Sequence, residues 1–338
     1  MRNPWQSNCS ASQRAVTTFN KTYYSLRVIS IPKTELKVYP LCLGGNVFGW
    51  SLDELQSHEI LNQYFSYGGN YIDTADYYVA WAPNNLGGES ETIIGNWLSK
   101  KQNRNEIVIA TKVAKLAARK GLAKSNIIAA CEDSLKRLKT DYIDIYYAHC
   151  EDPATPQEES LAAFDSLIKS GKVRYIGASQ HSAEALKSSE QISQRNNLHT
   201  FSILQDEYNL MVRDRFEIGQ AETIKRLGIS LIPYFSLAKG FLTGKYQKEK
   251  QIDSVRSKDV AKYETERGWK VLDELVKISR NHNCSIAAVA LAWLRANPLV
   301  STPLASATNQ SQLSEIMQIV DLTEDEVARL TVASESAR

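Results

Sequence analysis

The sequence predicts an α/β protein built as a single closed (β/α)8 barrel of the TIM type. Three observations predict it. Eight short apolar runs rich in Val, Ile and Tyr alternate with segments of helical spacing. No GxGxxG motif follows the first run; Gly44-Gly45 leads instead into Asn46-Val47-Phe48-Gly49. Polar residues recur at the C-terminal ends of the runs along the whole chain: Asp73, Lys112, His149, Ser179, Gln205 and Ser236. A closed barrel gathers those ends at one mouth, whereas an open doubly wound sheet spreads them along an edge.

The eight strands are read at Leu41 to Leu43, Asn70 to Asp73, Ile107 to Thr111 and Tyr142 to Ala148, then at Val173 to Ala178, Phe201 to Gln205, Ser230 to Tyr234 and Val300 to Ala305. Their continuous apolar character fits parallel strands buried on both faces. The first helix is expected at Ser51-Leu52-Asp53-Glu54, with Ser51 as cap and acids in the first turn. Further helices are expected at Glu89 to Leu98, Lys124 to Leu138, Glu158 to Ile168, Ala183 to Ile192, Glu217 to Leu227, Ala287 to Ala296 and Gln310 to Met317. Lys169-Ser170-Gly171-Lys172 stops one of them on a glycine. A short N-terminal hairpin precedes the barrel. Ser236 to Lys262 exceeds a normal βα connection and reads as a functional loop over the mouth.

Composition narrows the function. The chain has 338 residues, 43% hydrophobic and 23% charged, enough for a sizeable core without disulfide or metal. Forty Lys and Arg against 38 Asp and Glu give +2, which argues against a nucleic-acid binder. No apolar run approaches the roughly 20 residues of a membrane span. Five widely spaced cysteines, with no CxxC pair, read as reduced thiols in a cytoplasmic setting. Residues 1 to 34 lack Asp and Glu and carry Arg2, Arg14, Lys21, Arg27 and Lys33, as organellar transit peptides do. A disordered extension or a misassigned start has the same composition, and the extension is taken as residues 1–23.

The chemistry centres on Asn70-Tyr71-Ile72-Asp73-Thr74-Ala75-Asp76-Tyr77-Tyr78. A tyrosine hydroxyl keeps its proton at neutral pH and donates it more readily beside an ammonium. Lys112, ending a buried strand, supplies the ammonium, and Asp73 its counter-charge. His149 ends the next strand and is placed to orient a carbonyl oxygen. Taken alone, each has a structural reading: Asp73 as a cap, Tyr78 as a core aromatic, Lys112 as a snorkelling side chain and His149 as a buried structural histidine. Their succession on strands two, three and four favours a joint chemical role.

From about Tyr24 to the C-terminus, the chain resembles the aldo-keto reductases. The matching stretches include Gly69-Asn70-Tyr71-Ile72-Asp73-Thr74-Ala75, Gly87-Gly88-Glu89-Ser90-Glu91, Gly171-Lys172-Val173-Arg174-Tyr175-Ile176-Gly177-Ala178-Ser179, Gln205-Asp206-Glu207-Tyr208-Asn209 and Gly240-Phe241-Leu242-Thr243-Gly244-Lys245-Tyr246. The resemblance implies one domain over residues 24–338. It implies a catalytic tetrad of Asp73, Tyr78, Lys112 and His149, and reduction of a small or medium aldehyde or ketone by a nicotinamide cofactor. Ser179, Gln180 and Gln205 would hold the carboxamide and Tyr234 would stack on the ring. Leu237, Ala238 and Gly240 would approach the pyrophosphate. Gly45, Asn46, Phe235, Ser236 and Glu315 complete the implied contacts.

Departures bear on the cofactor. The segment Leu304 to Gln312, where relatives that prefer NADPH commonly carry basic residues, has no Lys or Arg. Ser306, Thr308 and Gln312 can still hydrogen-bond a phosphate or ribose, and Lys245 and Arg256 can supply charge. NADPH is therefore expected, with NADH as the alternative. Tyr234-Phe235-Ser236-Leu237 differs from the commoner Tyr-Ser-Pro-Leu and looks like a bacterial-type branch. The Asp-Pro-x-Thr-Pro segment at Asp152 resembles channel β subunits of the family, so a regulatory subunit with little turnover is the alternative function. Those proteins carry Asn where this chain has His149, which favours an enzyme. The basic run Lys112 to Lys124 reads as a solvated face plus the catalytic lysine, Trp50 and Trp81 as candidates for a pocket wall, and the remaining histidines as lacking metal spacing.

Overall fold

The computed structural model describes residues 28–246 and 257–335. The N-terminal extension and Arg256 lie outside the described residues. A two-stranded antiparallel hairpin, β1 (Ile29–Ser30) and β2 (Lys37–Val38), precedes the barrel. Eight parallel strands follow: β3 (Cys42–Gly44), β4 (Tyr71–Asp73), β5 (Val108–Val113), β6 (Ile143–Ala148), β7 (Val173–Ser179), β8 (Ile203–Glu207), β9 (Ser230–Tyr234) and β10 (Leu304–Ala305). They pair in chain order, with β10 beside β3. The cylinder closes just ahead of β10, where Leu231 N donates to Leu299 O at 2.7 Å and Ser301 N to Leu231 O at 3.0 Å.

The two-residue side-chain period of each strand explains both halves of the interior. Inward positions at the lower end are apolar: Cys42, Tyr71, Val108, Ala110, Ile145, Tyr147, Ile203, Ile232 and Leu304 form one buried cluster. Ile31, Leu36 and Val38 of the hairpin belong to the same cluster, so the hairpin plugs the lower end. Two or four residues further along the same register come Asp73, Lys112, His149, Ser179, Gln205, Tyr234 and Ser306. Outward residues such as Leu43, Ile72, Ile109, Tyr146, Ile176 and Leu204 pack against the helices in a second, larger cluster. Gly177 is required beside Tyr147, because a Cβ there would sit 2.3 Å from the tyrosine ring.

Several boundaries differ from the sequence reading. Ser51 is not the first cap: Asp53 accepts from Gln56 N at 2.8 Å, Gln56 returns the bond in a capping box, and the helix runs Glu54–Ser66. The helix expected over Glu217 to Leu227 is two pieces, Asp214–Glu217 and Ala221–Leu227, broken at Gly219. The last barrel strand shrinks from Val300–Ala305 to Leu304–Ala305, since Pro303 has no N–H to give the ladder. Two helices absent from the expected series are present. Glu266–His282 is capped by Thr265, and Glu324–Ala333 begins with a Thr323–Glu326 capping box. The mouth loop after β9 contains a 3-10 segment Ala238–Thr243 and a short helix Ser257–Val260. The four described cysteines are free.

Candidate active site

Lys112 is the hub of the barrel mouth. Its Nζ donates to Asp73 Oδ1 at 2.5 Å, to Thr74 O at 2.7 Å and to Tyr78 Oη at 2.9 Å. That uses all three donors of the ammonium. Asp73 is fully buried and accepts three bonds: from Lys112, from Tyr78 Oη at 3.0 Å and from Gln205 Nε2 at 2.8 Å on Oδ2. A buried carboxylate is tolerable here because its charge is matched and its lone pairs are filled. Burial pulls the Lys112 ammonium below its ordinary pKa, against the opposing pull of Asp73. Burial, and then the Asp73 charge, holds the Tyr78 phenol well above its ordinary value. The acidifying influence expected of Lys112 is thus outweighed, and Tyr78 carries its proton throughout the neutral range.

His149 sits beside this triangle, with its ring 6.1 Å from Tyr78 and 6.4 Å from Tyr77. Burial, reinforced by Lys112 and Lys115, pushes its pKa well below the usual imidazole value, so the ring is neutral at pH 7. Its Nδ1 is buried without a hydrogen-bond partner.

The cavity over these residues measures about 1070 Å³. Tyr78, His149, Ser179, Gln180, Gln205 and Tyr234 line its base. Phe235, Ser236, Leu237, Gly240 and Lys245 line it from the loop after β9, and Asn46, Ser306, Thr308, Gln312 and Glu315 from the side of β3 and β10. Ser306 Oγ donates to Asn46 Oδ1 at 2.6 Å, tying those two strand ends together. Asp73 and Lys112 lie directly beneath the floor. Gly45 and Ala238 do not face the cavity: Gly45 N donates to Asp73 O at 2.8 Å, and Ala238 is fully buried.

Trp50, Trp81 and Tyr77 wall the outer part, with Trp50 and Trp81 edge to face at 5.7 Å. The sequence reading missed Lys115 and Lys239. Lys115, expected on a solvated face, lines the cavity, and so does Lys239, which pairs with Asp259 at 3.2 Å. The basic content of the loop after β9 was the only signal for Lys239. A smaller cavity of about 390 Å³ lies between the helices Gln157–Lys169 and Ala183–Asn196 and holds none of the expected site residues. Among the described residues, no three His, Cys, Asp or Glu side chains group as a metal site.

Fold and cavity together define a parallel-barrel protein that gathers its polar groups at the strand C-termini, in the manner of barrel enzymes. Within that class the chain belongs to the aldo/keto reductase family, which it matches over residues 40–335. It is 31% identical to Protein tas of Escherichia coli (strain K12) over 330 residues, covering 89% of this chain and 95% of that protein. A probable voltage-gated potassium channel subunit beta of Arabidopsis thaliana is 32% identical over 305 residues, 87% and 90% of the two chains. Aldo-keto reductase str7 of Strobilurus tenacellus is 33% identical over 268 residues, 76% and 77% of the two. Family membership implies an oxidoreductase that binds a nicotinamide cofactor and acts on a small molecule. Among the described residues no helix is long and apolar enough to cross a membrane.

Proposed function

We propose that the protein is an NADPH-dependent reductase of aldehydes or ketones, with Tyr78 as the proton donor. The observation that carries this is the hydrogen-bonded triangle of Asp73, Lys112 and Tyr78 beneath a large cavity. The cavity residues suit a nicotinamide dinucleotide: the His149 ring and the amides of Gln180 and Gln205 at the base, the Tyr234 ring beside them, and polar side chains up to Glu315 at the far end. When bound, the cofactor supplies the hydride to the substrate's carbonyl carbon.

The protein's own part is placement and the proton. His149, neutral, donates a hydrogen bond to the carbonyl oxygen and orients it toward Tyr78. Tyr78 gives its proton to that oxygen as negative charge develops there. Lys112, already bonded to Tyr78 Oη, stabilises the phenolate left behind, and Asp73 fixes the ammonium in place. Ser179, Gln180 and Gln205 would hold the carboxamide, and Tyr234 would lie against the ring. Ser306, Thr308 and Gln312 would lie along the ribose and 2′-phosphate, the Gln312 amide N–H being free to donate, while Lys245 and Lys239 would supply the positive charge that the segment after β10 lacks.

The likeness to the Arabidopsis channel subunit keeps one alternative: a cofactor-binding regulatory subunit with little turnover. The discriminating experiment titrates NADPH and NADH fluorescence with purified protein, then follows loss of the reduced cofactor's absorbance with a panel of aldehydes and ketones. Tight binding with turnover supports the reductase, and binding without turnover the regulatory subunit. Absence of cofactor binding overturns both, and tighter binding of NADH overturns the NADPH preference.

A further inference from the structure

One cation at the barrel mouth has no role above beyond its influence on His149. Lys115 lies two residues past β5 and lines the cavity that His149 also lines. It is half-buried, and among the described residues its ammonium has neither an ion pair nor a hydrogen bond. Burial draws its pKa below the ordinary lysine value. Arg104 and Arg137, also partly buried, do have carboxylate partners: Asp144 at 2.8 Å and Glu91 at 2.7 Å. A desolvated charge without a counter-ion is unfavourable unless a ligand answers it.

The backbone is bent to put it there. Strand alternation would give residue 115 the outward register of Val113. Ala114 breaks that alternation with φ +120°, a region that ordinarily favours glycine. Gly121 N holds the strained residue by donating to Ala114 O at 2.9 Å. Strain of this kind persists only where the surrounding structure enforces it. The same mouth is walled by flat aromatic groups. Tyr77 lies 5.6 Å from Trp81, and Trp81 lies edge to face with Trp50.

We propose that Lys115 selects an aromatic carbonyl substrate that also bears a carboxylate, with the carboxylate on the Lys115 ammonium and the ring against Trp50, Trp81 and Tyr77. This rests on the reductase reading. A lone ammonium answers the single charge of a carboxylate, whereas a phosphate dianion calls for further donors.

The test compares 4-carboxybenzaldehyde with its methyl ester, using the full chain and NADPH. The acid is expected to exceed the ester in kcat/KM by about 10- to 100-fold, the range of a charge-assisted bond, with the difference in KM rather than kcat. Lys115→Met should bring the ratio to about 1, and Lys115→Arg should keep most of it. Calorimetric titration of 4-methylbenzoate, which has no carbonyl to reduce, into the NADP⁺-loaded protein should show weaker binding to Lys115→Met in proportion. Equal kcat/KM for acid and ester, or a preference that survives Lys115→Met, would overturn this proposal while leaving the reductase reading in place. Failure of both aldehydes and of the wider carbonyl panel would remove the reductase reading and this proposal with it.

Discussion

At the scale of single residues, the site is governed by one buried ion pair and what it holds. Asp73 and Lys112 fill each other's charge, and Tyr78 and Gln205 fill the remaining valences of Asp73. Replacing Tyr78 by Phe removes the donated proton and almost no volume. That variant should bind NADPH with near wild-type affinity and lose about 100- to 10,000-fold in kcat, measured by cofactor absorbance; wild-type turnover would refute the assignment. Asp76, two residues earlier, offers a stability test. Its carboxyl is buried, with Glu91 nearby, and its pKa is raised to about 8, chiefly by burial. The folded state therefore holds a proton that the unfolded chain releases near pH 4. Stability is lost as pH rises from about 4 to about 8, because the native state binds the extra proton. Asp76→Asn removes that dependence, so its Tm relative to wild type should climb from pH 5 to pH 8; a constant difference would refute it. Asp73, Tyr78, Lys112 and His149 were legible as a group because each sits in or just past a strand, or five residues beyond one. Lys115 was not, because only the reversed φ at Ala114 takes it out of the outward register.

Among the elements, strands were read more accurately than the joints between them. Ser230–Tyr234 and the helix Lys124–Leu138 fall where the apolar spacing places them. The helix Glu324–Ala333 went unread, although Thr323 and Glu326 spell a capping box. Thr323→Ala should cost about 1 kcal/mol in denaturant unfolding, since it leaves amide donors of the first turn unmet. The inner face of β7 is less forgiving. Gly177→Ala places a methyl group against the Tyr147 ring and should cost roughly 1–3 kcal/mol, the range for overpacking a filled interior. A fall below a few tenths of a kcal/mol would show that Tyr147 yields freely.

For the whole molecule, the barrel depends on a closure far apart in sequence. Leu231 bonds to Leu299 and Ser301, so the last strand region completes a cylinder that begins at Cys42. The cavity opens above these strands, with Asn46 and Ser306 bonded across the ends of β3 and β10 and the loop after β9 on its rim. A ligand seated there binds only the folded chain. NADPH at about 100 times its Kd should therefore stabilise the protein by about 2.7 kcal/mol and raise Tm by several degrees. An unchanged Tm at that concentration would contradict binding in this cavity.

The sequence alone determined the strand count, the parallel order and the identity of the polar residues at strand ends, because burial on two faces and a period of two are local signals. Tertiary structure decided what those residues touch. Gln205 binding Asp73, the outweighed influence of Lys112 on Tyr78, and the unpaired Lys115 in the mouth all arise from contacts between distant strands and from the depth of burial. Desolvation and charge pairing depend on three-dimensional neighbours, and no spacing along the chain encodes them.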